Sequence, residues 1–463
     1  MNKSHLRALG VPNGPALDAA YTAMLRLFSK GADADAVAGR ISAIVAAPAE
    51  YAGDAEFGEL AGALSLPADF TPRAEPAPWK SWCVEVEEGA LKQMKSAMYL
   101  PCAVGGALMP DAHQGYGLPI GGVLATENAV VPYAVGVDIA CRMKMTVLDL
   151  PVAMLDDPAG LARLKSALTR ETYFGMGAQT VRPYEHAVMD ADWGVSPVTA
   201  RMKDRARKQL GTSGSGNHFV EFGELHVTDT ASGLAPGVYL ALLSHSGSRG
   251  SGAQVCDHYS KLAAAMHPGL PDAMRHLGWL PMDHDAGREY WAAMELMGLY
   301  AAANHDCIHR AIAKNLGAAV LLDVENHHNF AWKERHFGRE VIVHRKGATP
   351  AGEGVLGIIP GSMATPGYLV RGKGSAESLH SASHGAGRVM SRTKAEKTLN
   401  WDDARRFLTE RRVHLISAGL DEVPFVYKDI HAVMAAQADL VECLARFDPR
   451  LVKMAPQGER AED

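Results

Sequence analysis

The sequence predicts an α+β protein in which a helical segment precedes one large domain of mixed strands and helices. Three observations carry that prediction: apolar residues at helical spacing confined to the first 75 positions, a Pro-rich stretch after them, and then short β-type runs that repeatedly end in polar or glycine-rich loops. At 463 residues, with 47% hydrophobic and 21% charged residues, the chain has the make-up of a soluble globular protein long enough to bury a large core.

Residues 1–75 read as a helical extension. Ala16, Leu17, Ala20, Tyr21, Met24, Leu25 and Phe28 recur at the spacing of one helix face. A second helix is expected over Asp35–Ala46, with Val37, Ile41, Ile44 and Val45 apolar. The stretch PADFTPRAEPAPW then reads as a linker into a domain over residues 76–463. The N-terminus lacks the apolar core of a signal peptide, and no apolar run approaches the roughly 18 residues of a membrane span, so a cytoplasmic protein is expected.

Within the large domain, GVYLALL leads into SHSGSRG, AAVLLDV into ENHHNF, REVIVH into RKGATPAGEG, and GVLGII into PGSMAT. Strands that end in polar loops hold functional groups at one edge of a rigid sheet, so these ends are expected to converge on a site. No fixed-period repeat is present, which argues against solenoids and propellers.

The loops also carry metal-ligand chemistry. YAVGVDIACRM supplies Asp138 and Cys141, GSGNHF supplies His218, SHSGSRG supplies His245, and ENHHNF supplies His327 and His328. Each alone is an ordinary buried or loop residue. Together, carboxylate, thiolate and imidazole suit a transition metal, and five donors suit two ions. The six cysteines lack CxxC spacing, which argues against a disulfide framework or a four-cysteine zinc site. GTSGSGNHF, HSGSRGSG, PGSMATPG and SHGAGR offer backbone N–H groups for a phosphate or nucleotide, although none matches a Walker or dinucleotide fingerprint. The net charge of −6 excludes a generally basic, nucleic-acid-coating surface. One window, Arg371–Arg412, holds ten cations against five acids and is the candidate basic surface, with a solvated helical face as its bland alternative.

The motifs MPDAHQGYGLPIGG, GVDIACRM, GNHFVE, HSGSRG, HHNFAW, HRKGATPAGEG, PGSMAT, SASHGAGRVMSRTKA and YKDI occur in the order seen in the RtcB family of GTP-dependent RNA ligases. The chain resembles a divergent, bacterial-type member of that family from about Pro78 to Lys453. The resemblance implies the family's own α+β fold. It implies joining of RNA 3′-phosphate or 2′,3′-cyclic phosphate ends to 5′-hydroxyl ends, in RNA repair or tRNA splicing, and it leaves room for an archease-like activator. By the same resemblance, Asp138, Cys141, His218, His245 and His328 would hold two Mn²⁺ ions with Cys141 shared, and His327 would not be a ligand. His384 would be the nucleophile that carries guanylate from GTP. The guanylate pocket would draw on Asn217, His218, Phe219, Val220, Glu221, His328, Asn329, Pro360, Gly361, Ser362, Met363, Gly385, Ala386, Gly387 and Lys453, with Tyr427 lining it. Asp111 and His113 would stand near the metals without binding them.

Ala140, Arg142, Ala364 and Gly367 depart from the family's usual GVDIGCGM and PGSMGTxSY. Ala140 would strain the metal loop if its backbone takes positive φ, Arg142 offers a cation to a phosphate, and Gly367 lacks a serine hydroxyl for the nucleotide. The competing readings are a metal-dependent phosphodiesterase or phosphatase that never guanylylates, and a non-catalytic RNA-binding module resting on the basic window.

Overall fold

The structure is a computed structural model that describes residues 2–12, 15–64 and 70–461. The start of the expected linker, residues 67–69, lies outside the described residues. Among the described residues no helix is long and apolar enough to cross a membrane.

The first 64 positions form helices Lys3–Ala8, Pro15–Ser29, Ala34–Ala46 and Gly58–Leu64 around a core of their own, with Leu6, Leu17, Ala20, Met24, Ile41, Ile44, Phe57 and Leu60 buried. The expected periodicity holds for Ala16, Leu17, Ala20 and Met24, whereas Leu25 is 49% exposed at the edge of the stripe. Asp33 starts the third helix by accepting from the N–H groups of Asp35 and Ala36.

Two sheets dominate the rest. A five-stranded sheet runs in the order Trp79–Ser81, Ala103–His113, Ile120–Thr126, Arg339–Lys346, Phe330–His336. An eight-stranded sheet runs Leu356–Ile359, Gly367–Gly372, Val441–Met454, Phe219–Val227, Gly237–Ser246, Arg142–Leu148, Val320–His327, with His414–Ser417 paired beside Val441–Met454. All four strands expected from the sequence are present, three in the larger sheet and Arg339–Lys346 in the smaller. The larger sheet curls until its outer strands meet: the Asn326 amide donates to the Ile358 carbonyl at 3.3 Å and accepts from the Ile358 N–H at 2.8 Å. A side chain thereby satisfies edge groups that would otherwise invite another strand.

Alternation sorts the larger sheet into two faces. Met143, Met145, Val147, Leu225, Leu243, Ile358, Leu369 and Phe447 pack together on one. Val220, Phe222, Leu240 and Leu242 pack on the other, against Leu164 and Leu168 of helix Pro158–Glu171 and Ile308 and Ile312 of the long helix Asp285–Leu316.

Candidate active site

Strand register assembles the site. His245 lies opposite both Met143 and Phe219, Phe219 lies opposite Met454, and Arg142 lies opposite His327. Residues just beyond those pairs, namely Cys141, His218 and His328, are therefore neighbours although they are far apart in sequence. From the smaller sheet come Asp111 and His113 at the end of Ala103–His113 and Lys346 at the end of Arg339–Lys346.

Four donors meet around one sulfur. Cys141 Sγ lies 3.0 Å from His245 Nε2 and 3.4 Å from His218 Nε2. His218 Nε2 is 3.0 Å from Asp138 Oδ2, and His245 Nε2 is 3.1 Å from His328 Nε2. Asp138, Cys141 and His218 form one group with ligand atoms within 4.8 Å of one another, Cys141, His245 and His328 a second, and Cys141 belongs to both. The imidazoles are aimed from behind: His218 Nδ1 donates to the Ser213 carbonyl at 2.7 Å and His245 Nδ1 to the Asn217 carbonyl at 3.0 Å. A carbonyl only accepts, so Nδ1 carries the proton and Nε2 turns its lone pair inward. Burial, helped by the neighbouring His218, pushes the His245 pKa down to about 3, and burial likewise pushes His328 well below its usual value. Burial alone would raise the Asp138 carboxyl, but its polar contacts with His218 and Cys141 outweigh that and hold it below its usual value. Neutral imidazoles, a buried carboxylate and a sulfur that converge in this way fit divalent transition-metal ions.

His327 takes no part; its ring packs on Phe330 and Trp332. Ala140 sits at φ +58°, so the metal loop does carry the strain its sequence suggested. Arg142 is corrected: its guanidinium is buried on the far face of the sheet, bonded to Glu325 at 3.0 Å and the Gly298 carbonyl at 3.0 Å, and offers nothing to a phosphate. Ala364 is buried without positive φ, so that departure is unstrained.

His384 follows the short strand Ser381–Ser383, which pairs with Ala348–Pro350. Its Nδ1 donates to Asp111 Oδ2 at 2.7 Å, and the same oxygen accepts the backbone N–H of His384 at 3.1 Å and of Gly385 at 3.3 Å. Burial works to raise the Asp111 carboxyl, but the hydrogen bond from His384 and the nearby Lys428 ammonium outweigh that and hold it below its usual value. The arrangement leaves Nε2 free, with the ring 4.9 Å from that of His328. The glycines around His384 have a nearer cause than a ligand: a Cβ on Gly387, at φ +75°, would stand 2.1 Å from the Asp111 carbonyl oxygen. The loop must lie against the strand that carries Asp111.

Two clefts meet at His384. Asn217, Phe219, Glu221, Pro360, Gly361, Ser362, Met363, Gly385, Ala386, Gly387 and Tyr427 line the first. Asp138, Cys141, His328, Asn329, Lys346 and Arg392 line the second, which is larger at ≈ 1580 Å³ of empty volume against ≈ 940 Å³. Burial pushes the Glu221 carboxyl well above its usual range, which favours the protonated form that can donate as well as accept. The buried Asn217 Oδ1 has no partner, which leaves it available to a polar ligand.

Five expected pocket residues fall elsewhere: His218 and His328 belong to the metal-capable cluster, and three more lie apart from the first cleft. Val220 points into the helix-packed face between Phe219 and Glu221, as alternation requires. Lys453 lies between Val452 and Met454, which do reach the first cleft, so it turns away and donates to the carbonyls of Leu168, Thr169 and Thr172 behind helix Pro158–Glu171. Asn329 borders the second cleft, where it accepts from the Gly347 N–H at 2.8 Å and donates to the Asp138 carbonyl at 3.3 Å. Lys346 was overlooked in the sequence despite its place in HRKG: it is buried, donates to the Tyr116 carbonyl, and burial pushes its pKa down to about 8.

Comparisons agree with this geometry. The family model described as tRNA-splicing ligase RtcB matches residues 93–196 and 185–454. The chain is 35% identical over 403 residues to RNA-splicing ligase RtcB1 of Escherichia coli strain ATCC 25922, covering 80% of this chain and 95% of that protein. It is 33% identical over 439 residues to tRNA-splicing ligase RtcB of Nanoarchaeum equitans, covering 78% and 91%. With its metal-capable cluster beside His384, the chain belongs to the RtcB family and is an RNA ligase.

Proposed function

We propose that this ligase uses GTP and Mn²⁺ to join RNA ends bearing a 3′-phosphate or 2′,3′-cyclic phosphate to 5′-hydroxyl ends, in RNA repair or tRNA splicing, through guanylate carried on His384. The observation that carries the proposal is the orientation of His384: Asp111 holds Nδ1, and Nε2 is left at the junction of a polar, glycine-lined cleft and a metal-capable one.

Guanylate occupies the first cleft, with Asn217 and Glu221 as its buried polar contacts. His384 Nε2 attacks the α-phosphorus of GTP; an N–P bond forms and the bond to pyrophosphate breaks. The Asp111 carboxylate offsets the positive charge that grows on the imidazole. An oxygen of the RNA 3′-phosphate then displaces His384 from phosphorus, and the 5′-hydroxyl attacks the activated 3′-phosphate with loss of GMP. A cyclic phosphate is first opened by water. Asp138, Cys141, His218, His245 and His328 would hold two Mn²⁺ ions, which supply charge neutralisation and alignment of the phosphate oxygens.

The test is incubation with α-labelled GTP and Mn²⁺ without RNA, followed by denaturation. Acid-labile label that disappears in His384→Ala is the expected result. Absence of label with several divalent metals and over a range of GTP concentrations would overturn it in favour of a metal-dependent phosphodiesterase, with Gly367 the first position to restore to serine.

A further inference from the structure

We infer that the helix Pro197–Gln209 is a docking surface for the phosphate backbone of the RNA that flanks the joined ends; the inference rests on the ligase reading. The helix is held firmly. Ser196 caps it by accepting from the N–H groups of Val198 and Thr199, and Pro197 fits its first turn. Val198, Thr199, Ala206 and Gln209 are buried, and the helix packs on Arg249–Met266. Its last turn is tied down, since the Lys208 carbonyl accepts from the Thr180 N–H at 3.1 Å and Gln209 Nε2 donates to the Met176 carbonyl at 3.2 Å.

The outer face is cationic. Arg201, Arg205 and Lys208 follow one another at four- and three-residue spacing, so they form one stripe about 10 Å long, with Arg207 beside it and Asp204 its one acid. All are exposed, and among the described residues none of these four cations has an ion-pair partner. The window Arg371–Arg412, which looked more basic in sequence, differs in this respect. Each of its seven arginines faces a carboxylate within 4.0 Å, as Arg406 faces Asp403 at 3.1 Å and Arg392 faces Asp421 at 2.7 Å. In a chain of net charge −6, unneutralised cations gathered on one rigid helix favour a polyanion.

Position favours RNA over an acidic protein. The helix runs directly into the loop whose Ser213 carbonyl holds His218 Nδ1 at 2.7 Å. Ser213 is five positions beyond Lys208, so their Cα atoms lie at most roughly 18 Å apart. A strand whose terminal phosphate sits at the metal ligands can reach the stripe within a few nucleotides.

The experiment measures binding of a 3′-phosphorylated RNA oligonucleotide to the full chain over a range of salt. Each phosphate contact contributes about 0.7 to the slope of log K against log salt for a single strand. Arg201→Gln/Arg205→Gln/Lys208→Gln should lower that slope by about 2, and Asp204→Lys should steepen it by about 0.7, a gain that misfolding cannot imitate. Arg405→Gln/Arg406→Gln/Arg411→Gln, in the ion-paired window, should leave it unchanged. Slopes unaltered in the first two variants would overturn the inference and leave the helix for an acidic protein partner. A fall confined to the third would move the RNA surface to the window. Guanylylation without RNA reads the ligase proposal separately: its absence in the parent chain would sink that proposal while the slopes still report on the helix.

Discussion

The two clefts that share His384 are built from opposite chemistries. Apart from Arg388 on the common rim, no lysine or arginine lines the first, and its one acid beyond Glu422 is Glu221, whose burial favours the protonated form. The second is walled by Asp138, Cys141, His328, Lys346 and Arg392. A polar pocket whose only charges are paired suits a nucleobase and sugar, where hydrogen bonds discriminate, whereas a charged, metal-capable wall suits phosphates. One histidine between them can take a group from one side and deliver it to the other.

The severest way to break this division is to release the shared residue. Asp111→Asn keeps the size of the side chain but removes the anion that fixes His384 Nδ1–H, and guanylylation should fall by about 10³-fold or more. Both half-reactions should fall together, because both use the same Nε2. A variant that still takes up GTP at the parent rate but no longer passes guanylate to RNA would show that Asp111 serves only the second cleft. The assay is single-turnover label uptake, followed by a chase with RNA.

Next in size is a change confined to one side. Glu221→Ala removes a hydrogen bond from the first cleft and should raise the KM for GTP about tenfold, with the KM for RNA unchanged. An equal rise in both constants would mean that the clefts are not separate binding sites. Smaller still is the pH response of the second cleft. Burial places the Lys346 pKa at about 8, so the ammonium is charged below that pH and neutral above it. RNA affinity should therefore weaken through pH 8 by about fivefold, the worth of one partly screened charge pair, while guanylate occupancy of the first cleft stays level. Titration of RNA binding by fluorescence anisotropy at fixed ionic strength checks this, and a profile flat through pH 8 would remove Lys346 from the phosphate wall.

The same contrast explains what the sequence could disclose. The candidate ligands are legible because carboxylate, thiolate and imidazole types sit in or beside polar loops that abut strands: Cys141 and His218 just before one, His245 near the end of one, and His328 just after one. The facing of strand residues was less legible. Val220 and Lys453 sit inside motifs whose neighbours reach the cleft, and only the observed pleat shows that they point the other way. Charge misled for a related reason. A window sum counts cations but not their partners, so Arg371–Arg412 looked basic although each of its arginines is paired, whereas the shorter helix Pro197–Gln209 passed unnoticed. In sequence Asp111 reads as a neighbour of the metals, because its contact with His384 spans two sheets.

The smallest expected effect concerns the strain found on the metal side alone. Ala140 holds φ +58° between Asp138 and Cys141 while its N–H donates to the Asn329 carbonyl at 2.8 Å. A left-handed alanine costs about 1–2 kcal/mol, which glycine would relieve. Glycine would also lose about 0.5–1 kcal/mol through its freer unfolded chain, and a buried methyl worth about 0.8 kcal/mol. These terms nearly cancel, so Ala140→Gly should change stability by less than about 1 kcal/mol and leave metal affinity as it was. Equilibrium denaturation with and without Mn²⁺ measures both. A gain beyond 2 kcal/mol on that scale would mean that the fold carries uncompensated strain at its metal loop, and a loss of that size would make the Ala140 methyl, packed in the cluster with Phe330 and Met294, the anchor that holds Asp138 and Cys141 in place.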